Sequence, residues 1–366
     1  MRWAAEATVG ARADAAHALA RAYLHSDVGQ DVRDEMEATL TLLLDDEDVT
    51  VRFALADAFA NSERAPRHMV LALARDQYEI ARVVLARSPV FVDAELVDIV
   101  ASSSPDVQAV ISSRPAVEGT VAAAIAEVGS VEAVEALLAN PNVEMARLSL
   151  RRIADRFGDD FAVREALLAR LDLPIDAQQA LIRRISMTLP AADADGPDSA
   201  RETCDRATVV LAAECSLEEL QTLVEHLRVT GQLTTSLLLR GLCAGNVGLF
   251  EVALATLCQM PMERIVGLVR HPHRGGLRAV YRRAGLPLPI FDAFVAAIDS
   301  CSEFDVEAGS VEHYGFSREM TDRVIERFVE LTGGEPAEVL GMLRRFAADA
   351  SRSAARAYLE ARRQAA

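Results

Sequence analysis

The densest run of chemistry-bearing side chains lies between Arg264 and Arg283, where Arg264, Arg270, His271, His273, Arg274, Arg278, Arg282 and Arg283 stand against a single acid, Glu263. The whole chain carries 38 basic and 55 acidic residues, a formal charge of −17, so this stretch is a local inversion of sign. It suits anion binding. Pro272 and the pair Gly275-Gly276 interrupt the chain just before a helical pattern that opens near Leu277. A helix start offers unpaired backbone N–H groups and the positive end of the helix dipole. Arg278 and Arg282 are four residues apart and so share one face of that helix. The residues expected to contact a phosphate-bearing ligand or an acidic partner segment are Arg270, His273, Arg274, Arg278 and Arg282. The competing expectation is structural. Arginines near a helix C-terminus stabilise it by ~0.3 to 1 kcal/mol, and a cationic stretch can pair with an acidic helix such as the one bearing Glu218 and Glu219.

Other chemistries fail for want of the right spacing. His271-Pro-His273 has no nearby Cys and no H-E-x-x-H arrangement, and His313-Tyr-Gly reads as a turn. The acids Asp45-Asp-Glu-Asp48 lead into an apolar-periodic stretch from Val49, where they fit a helix N-terminus rather than a metal. Cys204, Cys215, Cys243, Cys258 and Cys301 form no C-x-x-C pair. Their odd number and wide spacing argue against a disulfide framework and point to a reducing compartment. No G-x-G-x-x-G, Walker loop or nucleophile elbow is present. The reading therefore assigns no catalytic residue, no metal ligand and no cofactor, and an enzyme is unsupported.

All 38 basic residues are Arg, and Lys is absent. That bias is what a GC-rich bacterial genome produces, so arginine abundance is not by itself a functional signal. The charge of −17 argues against sequence-independent nucleic-acid binding. No apolar run reaches the roughly 18 to 20 residues needed to cross a bilayer, and Met1-Arg-Trp-Ala-Ala-Glu6 leads into no signal-peptide core. No membrane association and a cytoplasmic location are expected.

The elements that must position these residues are helical throughout. Between Val49 and Phe157 one two-helix unit recurs, with endings Leu85-Ala-Arg-Ser-Pro89, Ile111-Ser-Ser-Arg-Pro115 and Leu137-Leu-Ala-Asn-Pro141. The prolines are 26 residues apart, and a fixed period means stacked repeats. Proline also forces the residue before it out of the helical region, so each first helix must stop there. First helices are predicted over 49–61, 77–87, 105–114 and 131–140, with second helices after Pro66, Pro89, Pro115 and Pro141. Leu85, Ile111 and Leu137 are expected to point into the same layer. Over 143–157 the residues Val143, Ala146, Leu150, Ile153 and Phe157 make a core-facing stripe. The segment 190–202, rich in small, acidic and turn residues, reads as a linker between a helical repeat domain, 1–189, and a helical C-terminal domain, 203–366. In the latter, Ser216-Leu-Glu-Glu219 is a capping-box signature followed by Leu217, Leu220, Leu223 and Leu227. No alternating strand pattern appears, and the fold class is all-α.

Several of these stretches together, Leu55-Ala-Asp-Ala-Phe59, Ala72-Leu-Ala-Arg-Asp76, Val83 to Pro89, Gly231 to Leu239 and Leu277 to Pro287, resemble an uncharacterised alphaproteobacterial family, one of the domains of unknown function. The resemblance implies that the N-terminal half is similar to HEAT-type repeats, an α-solenoid of about 26-residue helix pairs, and that the setting is a bacterial cytoplasm. It brings no activity and no catalytic residues. Solenoids expose a long rigid surface, so the leading expectation is a non-enzymatic scaffold or adaptor with a protein partner. The alternative is a ligand-responsive regulator whose Arg cluster binds a phosphate-bearing ligand, a nucleotide or nucleic acid.

Overall fold

Each proline expected to stop a helix does so, and the residue in front of it turns out to do more than end the element. The computed structural model describes residues 7–188, 197–270, 274–307 and 316–364. Among them are 21 α-helices, one short 3-10 helix and no strand. No helix is long and apolar enough to cross a membrane among these residues. Contacts divide the chain into two compact units, Met1–Ala177 and Gln178–Ala366. The expected linker, 190–202, falls partly outside the described residues (189–196), and a helix begins at Pro197.

The N-terminal unit holds α1 (Val9–His25), α2 (Gln30–Leu43), α3 (Val49–Phe59), α4 (Arg67–Leu73), α5 (Tyr78–Arg87), α6 (Asp93–Ser102), α7 (Pro105–Ser112), α8 (Gly119–Val128), α9 (Val131–Ala139), α10 (Arg147–Phe157) and α11 (Phe161–Leu168). Helices pack on their second neighbours: α1, α3, α5, α7, α9 and α11 form one layer, and α6, α8 and α10 form another. Leu85, Ile111 and Leu137 are fully buried, as the repeat predicts. The helix expected from Val143 starts only at Arg147; Val143 is buried ahead of it, Ala146 is its exposed N-cap, and Leu150 and Ile153 carry the core face. Of the acids before α3, Asp48 is the cap. Asp48 accepts from Thr50 N at 2.8 Å, while Asp46 takes Arg12 Nε at 2.9 Å.

The repeats are tied to one another by polar side chains that reach back onto helix ends. The last four carbonyls of a helix have no intrahelical partner. Arg114, just past α7, donates to Leu85 O and, at 2.8 Å, to Ser88 O at the end of α5. Asn140, at the end of α9, donates to Ser112 O at 3.0 Å and Arg114 O at 2.8 Å at the end of α7. Arg156 in α10 donates to Ala126 O and Gly129 O, both at 2.8 Å, at the end of α8. Ser88, Arg114 and Asn140 are the residues before the three prolines. Two of the three, Arg114 and Asn140, close the helix of the repeat before them, while Ser88 supplies a carbonyl that is closed, and for arginine the positive charge also suits the negative end of that helix's dipole.

The C-terminal unit contains nearly all of α12 (Ile175–Thr188), then α13 (Pro197–Glu214), α14 (Leu217–Val229), α15 (Thr235–Cys243), α16 (Val247–Cys258), α17 (Met262–Arg270), α18 (Arg274–Arg283), α19 (Phe291–Glu307), α20 (Phe316–Thr332) and α21 (Ala337–Gln364). The capping box at α14 forms, with Ser216 N donating to Glu219 Oε2 at 2.9 Å and Glu219 N to Ser216 Oγ at 3.4 Å. Of its leucines, Leu220, Leu223 and Leu227 are buried and Leu217 is exposed. The fully buried Gln179 on α12 meets α14 and the loop after it through His226 at 3.1 Å and Gln232 at 2.8 Å. At the centre lies α15, packed by α13, α16, α19 and α20. Every residue from Leu237 to Cys243 is buried, as a helix apolar on all sides requires. It ends at Gly245, φ +83°, where a Cβ would come within 2.8 Å of Phe316; only glycine takes both that backbone and that contact without strain.

Candidate functional site

The arginine cluster sits on α17 and α18, and its members separate into different roles. Arg270 donates from Nε to Glu251 Oε1 at 2.9 Å and from Nη2 to Oε2 at 3.3 Å. Glu251 is only 2% exposed, so a buried carboxylate takes up this arginine's fork. Arg278 and Arg282 are exposed on α18, as are Arg264 on α17 and Arg283 at the end of α18. The Arg278 guanidinium lies 5.6 Å from the Phe291 ring centroid. His271 and His273, the side chain of Arg274, and His313 lie outside the described residues.

What holds α18 in place is aromatic. Tyr281 is fully buried, donates to Pro287 O at 3.0 Å and stands edge-on to Phe291 and Phe294 at 5.0 and 5.2 Å. Burial pushes its phenol above the ordinary range, so it stays neutral. The exposed arginines of α18 can neutralise an anion at the surface.

A second constellation, built on α13, α15, α20 and α21, was not anticipated from the sequence. Arg240 stands in the middle of the apolar helix α15, 6% exposed. Its Nη1 donates to Asp349 Oδ2 on α21 at 3.0 Å, and its guanidinium stacks 4.2 Å from the Phe346 ring centroid. Asp349 also accepts from Arg352 and lies 3.7 Å from Arg206 of α13. Burial pulls the Asp349 carboxyl upward, but the hydrogen bonds from Arg240 and Arg352 and the charges of Arg240 and Arg206 outweigh it and hold the carboxyl below its usual value. Arg240 Nε and Nη2 are buried and have no hydrogen-bond partner among the described residues. Beside this group is a cavity of about 400 Å³ lined by Val209, Val210, Ala213, Ala350 and Ala354 along its walls and by Arg206 and Arg240. Cys243 also lines it, but burial drives that thiol far above its ordinary value. Cys204, Cys215 and Cys258 are raised for the same reason, Cys215 to about 11. These four are thiols near neutral pH, not nucleophilic thiolates. A lone charge in Leu237-Leu-Leu-Arg240-Gly-Leu-Cys243 was the available signal for this site, because such a charge must be paired once its helix is enclosed.

Asp205, buried on α13, behaves oppositely to Asp349. Burial pushes it up to about 6, opposed by the charges of Arg240 and Arg201. A carboxyl whose folded value is raised favours folding only while protonated, so stability falls as pH rises from the unfolded value, about 4, toward the folded one. Asp205→Asn should therefore raise the melting temperature at pH 7, by the equivalent of about 1 to 2 kcal/mol, and flatten the decline between pH 4 and 6. Melting curves across that range check it. A neutral-pH loss in the variant would show that the ionised carboxylate is itself a favourable partner of Arg240.

A family model described as an uncharacterised protein conserved in bacteria (DUF2336) matches residues 80–331. No curated protein and no solved structure matches the chain.

Proposed function

The chain belongs to the DUF2336 family of uncharacterised bacterial proteins, a description that assigns neither reaction nor ligand, and on that premise we propose that it is a non-enzymatic scaffold or adaptor of the bacterial cytoplasm. Its HEAT-like N-terminal stack holds a protein partner. The observation that carries this reading is the charge of a stack fixed from within. Residues 1–177 contain 17 arginines and 30 acids, a net of −13, against 21 and 25, a net of −4, for residues 178–366. Much of the arginine in the first unit is engaged internally, on carbonyls by Arg114 and Arg156 and on carboxylates by Arg12, Arg52, Arg67, Arg151 and Arg152. A rigid acidic surface favours a basic protein segment and disfavours nucleic acid. The odd number and wide spacing of the five cysteines support a reducing compartment.

Affinity purification of the full chain from its own bacterium tests this. Asp98 on α6, Glu118 at the start of α8 and Glu144 before α10 are exposed. The expected result is a basic partner retained at low salt, released at high salt, and lost when these three are changed together to Asn, Gln and Gln. A partner held equally by the variant, or an acidic one, overturns the reading.

A further inference from the structure

We infer that the cavity beside Arg240 is a binding site for a small carboxylic acid with an apolar body, its carboxylate neutralised by Arg240. The walls supply the apolar half. Val209, Val210 and Ala213 from α13 face Ala350 and Ala354 from α21, and a volume of about 400 Å³ falls within the usual range for small-molecule sites.

The polar end supplies the charge. Arg240 has five donors in a planar fork, of which Nη1 is taken by Asp349 while Nε and Nη2, the two that lie together on one edge, have no acceptor among the described residues. Buried donors without acceptors are costly, and the guanidinium they belong to borders the cavity, where a carboxylate would neutralise its charge. Three guanidiniums, of Arg206, Arg240 and Arg352, gather on Asp349. Against Asp349 and an ionised Asp205 the three arginines keep one positive charge, a surplus opposed by Glu214 on the cavity lining. Glu214 also lines the cavity and is exposed, which penalises a dianion and so favours a carboxylate over a phosphate monoester. Cys243, which also lines the cavity, is held as the protonated thiol by burial.

The experiment is calorimetric titration of the full chain with octanoate, octan-1-ol and octyl phosphate. Octanoate should bind about tenfold or more tighter than either of the others, a difference of about 1.4 kcal/mol. Arg240→Met should abolish that preference. Because this variant also disturbs the ion pair and its folding, Ala213→Phe provides the independent arm. Ala213 is solvent-exposed and lines the cavity, so the ring fills the hollow while Arg240 and Asp349 stay intact, and octanoate binding should fall about tenfold with the melting temperature held. Equal binding of octanol and octanoate would reduce the site to an apolar hollow and overturn the proposal. So would tighter binding of octyl phosphate, octanoate binding indifferent to Ala213→Phe, or no octanoate binding by the wild type.

Discussion

Replacing Asp349 by Ala should destabilise the C-terminal unit by about 3 to 5 kcal/mol, the largest effect expected of a single substitution in this chain. Among the described residues the Asp349 carboxylate is the hydrogen-bond acceptor of Arg240, which is 6% exposed, and removing it leaves a guanidinium enclosed in an apolar helix. The loss should be specific to breaking the pair. Replacing both partners, Arg240→Met with Asp349→Leu, should recover most of the stability, because desolvation of the two charges offsets much of their attraction. Urea unfolding of the wild type, the single variant and the double variant decides the matter. A double variant as unstable as the single one would mean that shape, not charge, dominates. The pH dependence has a definite sign. Asp349 is held below its ordinary value, so its stabilisation is complete above the unfolded value, about 4, and disappears as pH falls through the lower folded one. Asp349→Ala should therefore differ least from wild type in acid, opposite to the trend at Asp205.

Arg114→Met should cost about 3 kcal/mol in the N-terminal unit. Arg114 is 8% exposed, and burial alone shifts it, downward, so no acid among the described residues balances it. It bonds to Leu85 O and Ser88 O. Hydrogen bonds from a charged donor are worth about 1.5 to 3 kcal/mol each, and part of that is returned when a buried charge is removed. Asn140→Ala removes two neutral bonds of the same kind and should cost less, about 1 to 2 kcal/mol. The exposed Arg147 is the control, expected within about 0.5 kcal/mol of wild type when changed to Met. Hydrogen exchange at the ends of α5 and α7 would localise the loss. Protection unchanged at Leu85 and Ser88 would show that the reach-back bonds follow the stacking and do not hold it.

Periodicity carried the fold because it reports on local physics. The 26-residue spacing located the first helices to within a few residues, and the capping box placed the start of α14 at Leu217. Where the reading slipped, a side chain had two plausible environments. Val143 and Ala146 fit the stripe of α10, yet the helix begins at Arg147, and Leu217 fits the apolar set of α14 but is 56% exposed at its first turn. The candidate site was harder because it is not local. Arg240 and Asp349 are 109 residues apart, and no spacing rule joins an arginine on one helix to an aspartate on another. The densest charge in the sequence lies elsewhere, on α17 and α18, where Arg270 is partnered by Glu251, 19 residues before it.

The reach-back ladder also has a consequence for how the chain is made. Synthesis proceeds from the N-terminus, and the carbonyls at the end of α5 wait for Arg114, those of α7 for Asn140 and those of α8 for Arg156, between 26 and 30 residues later. These three helix ends are thus completed only by residues made later. A translational pause between Gly129 and Asn140 would leave the carbonyls of both α7 and α8 waiting, while those of α5 were already met by Arg114.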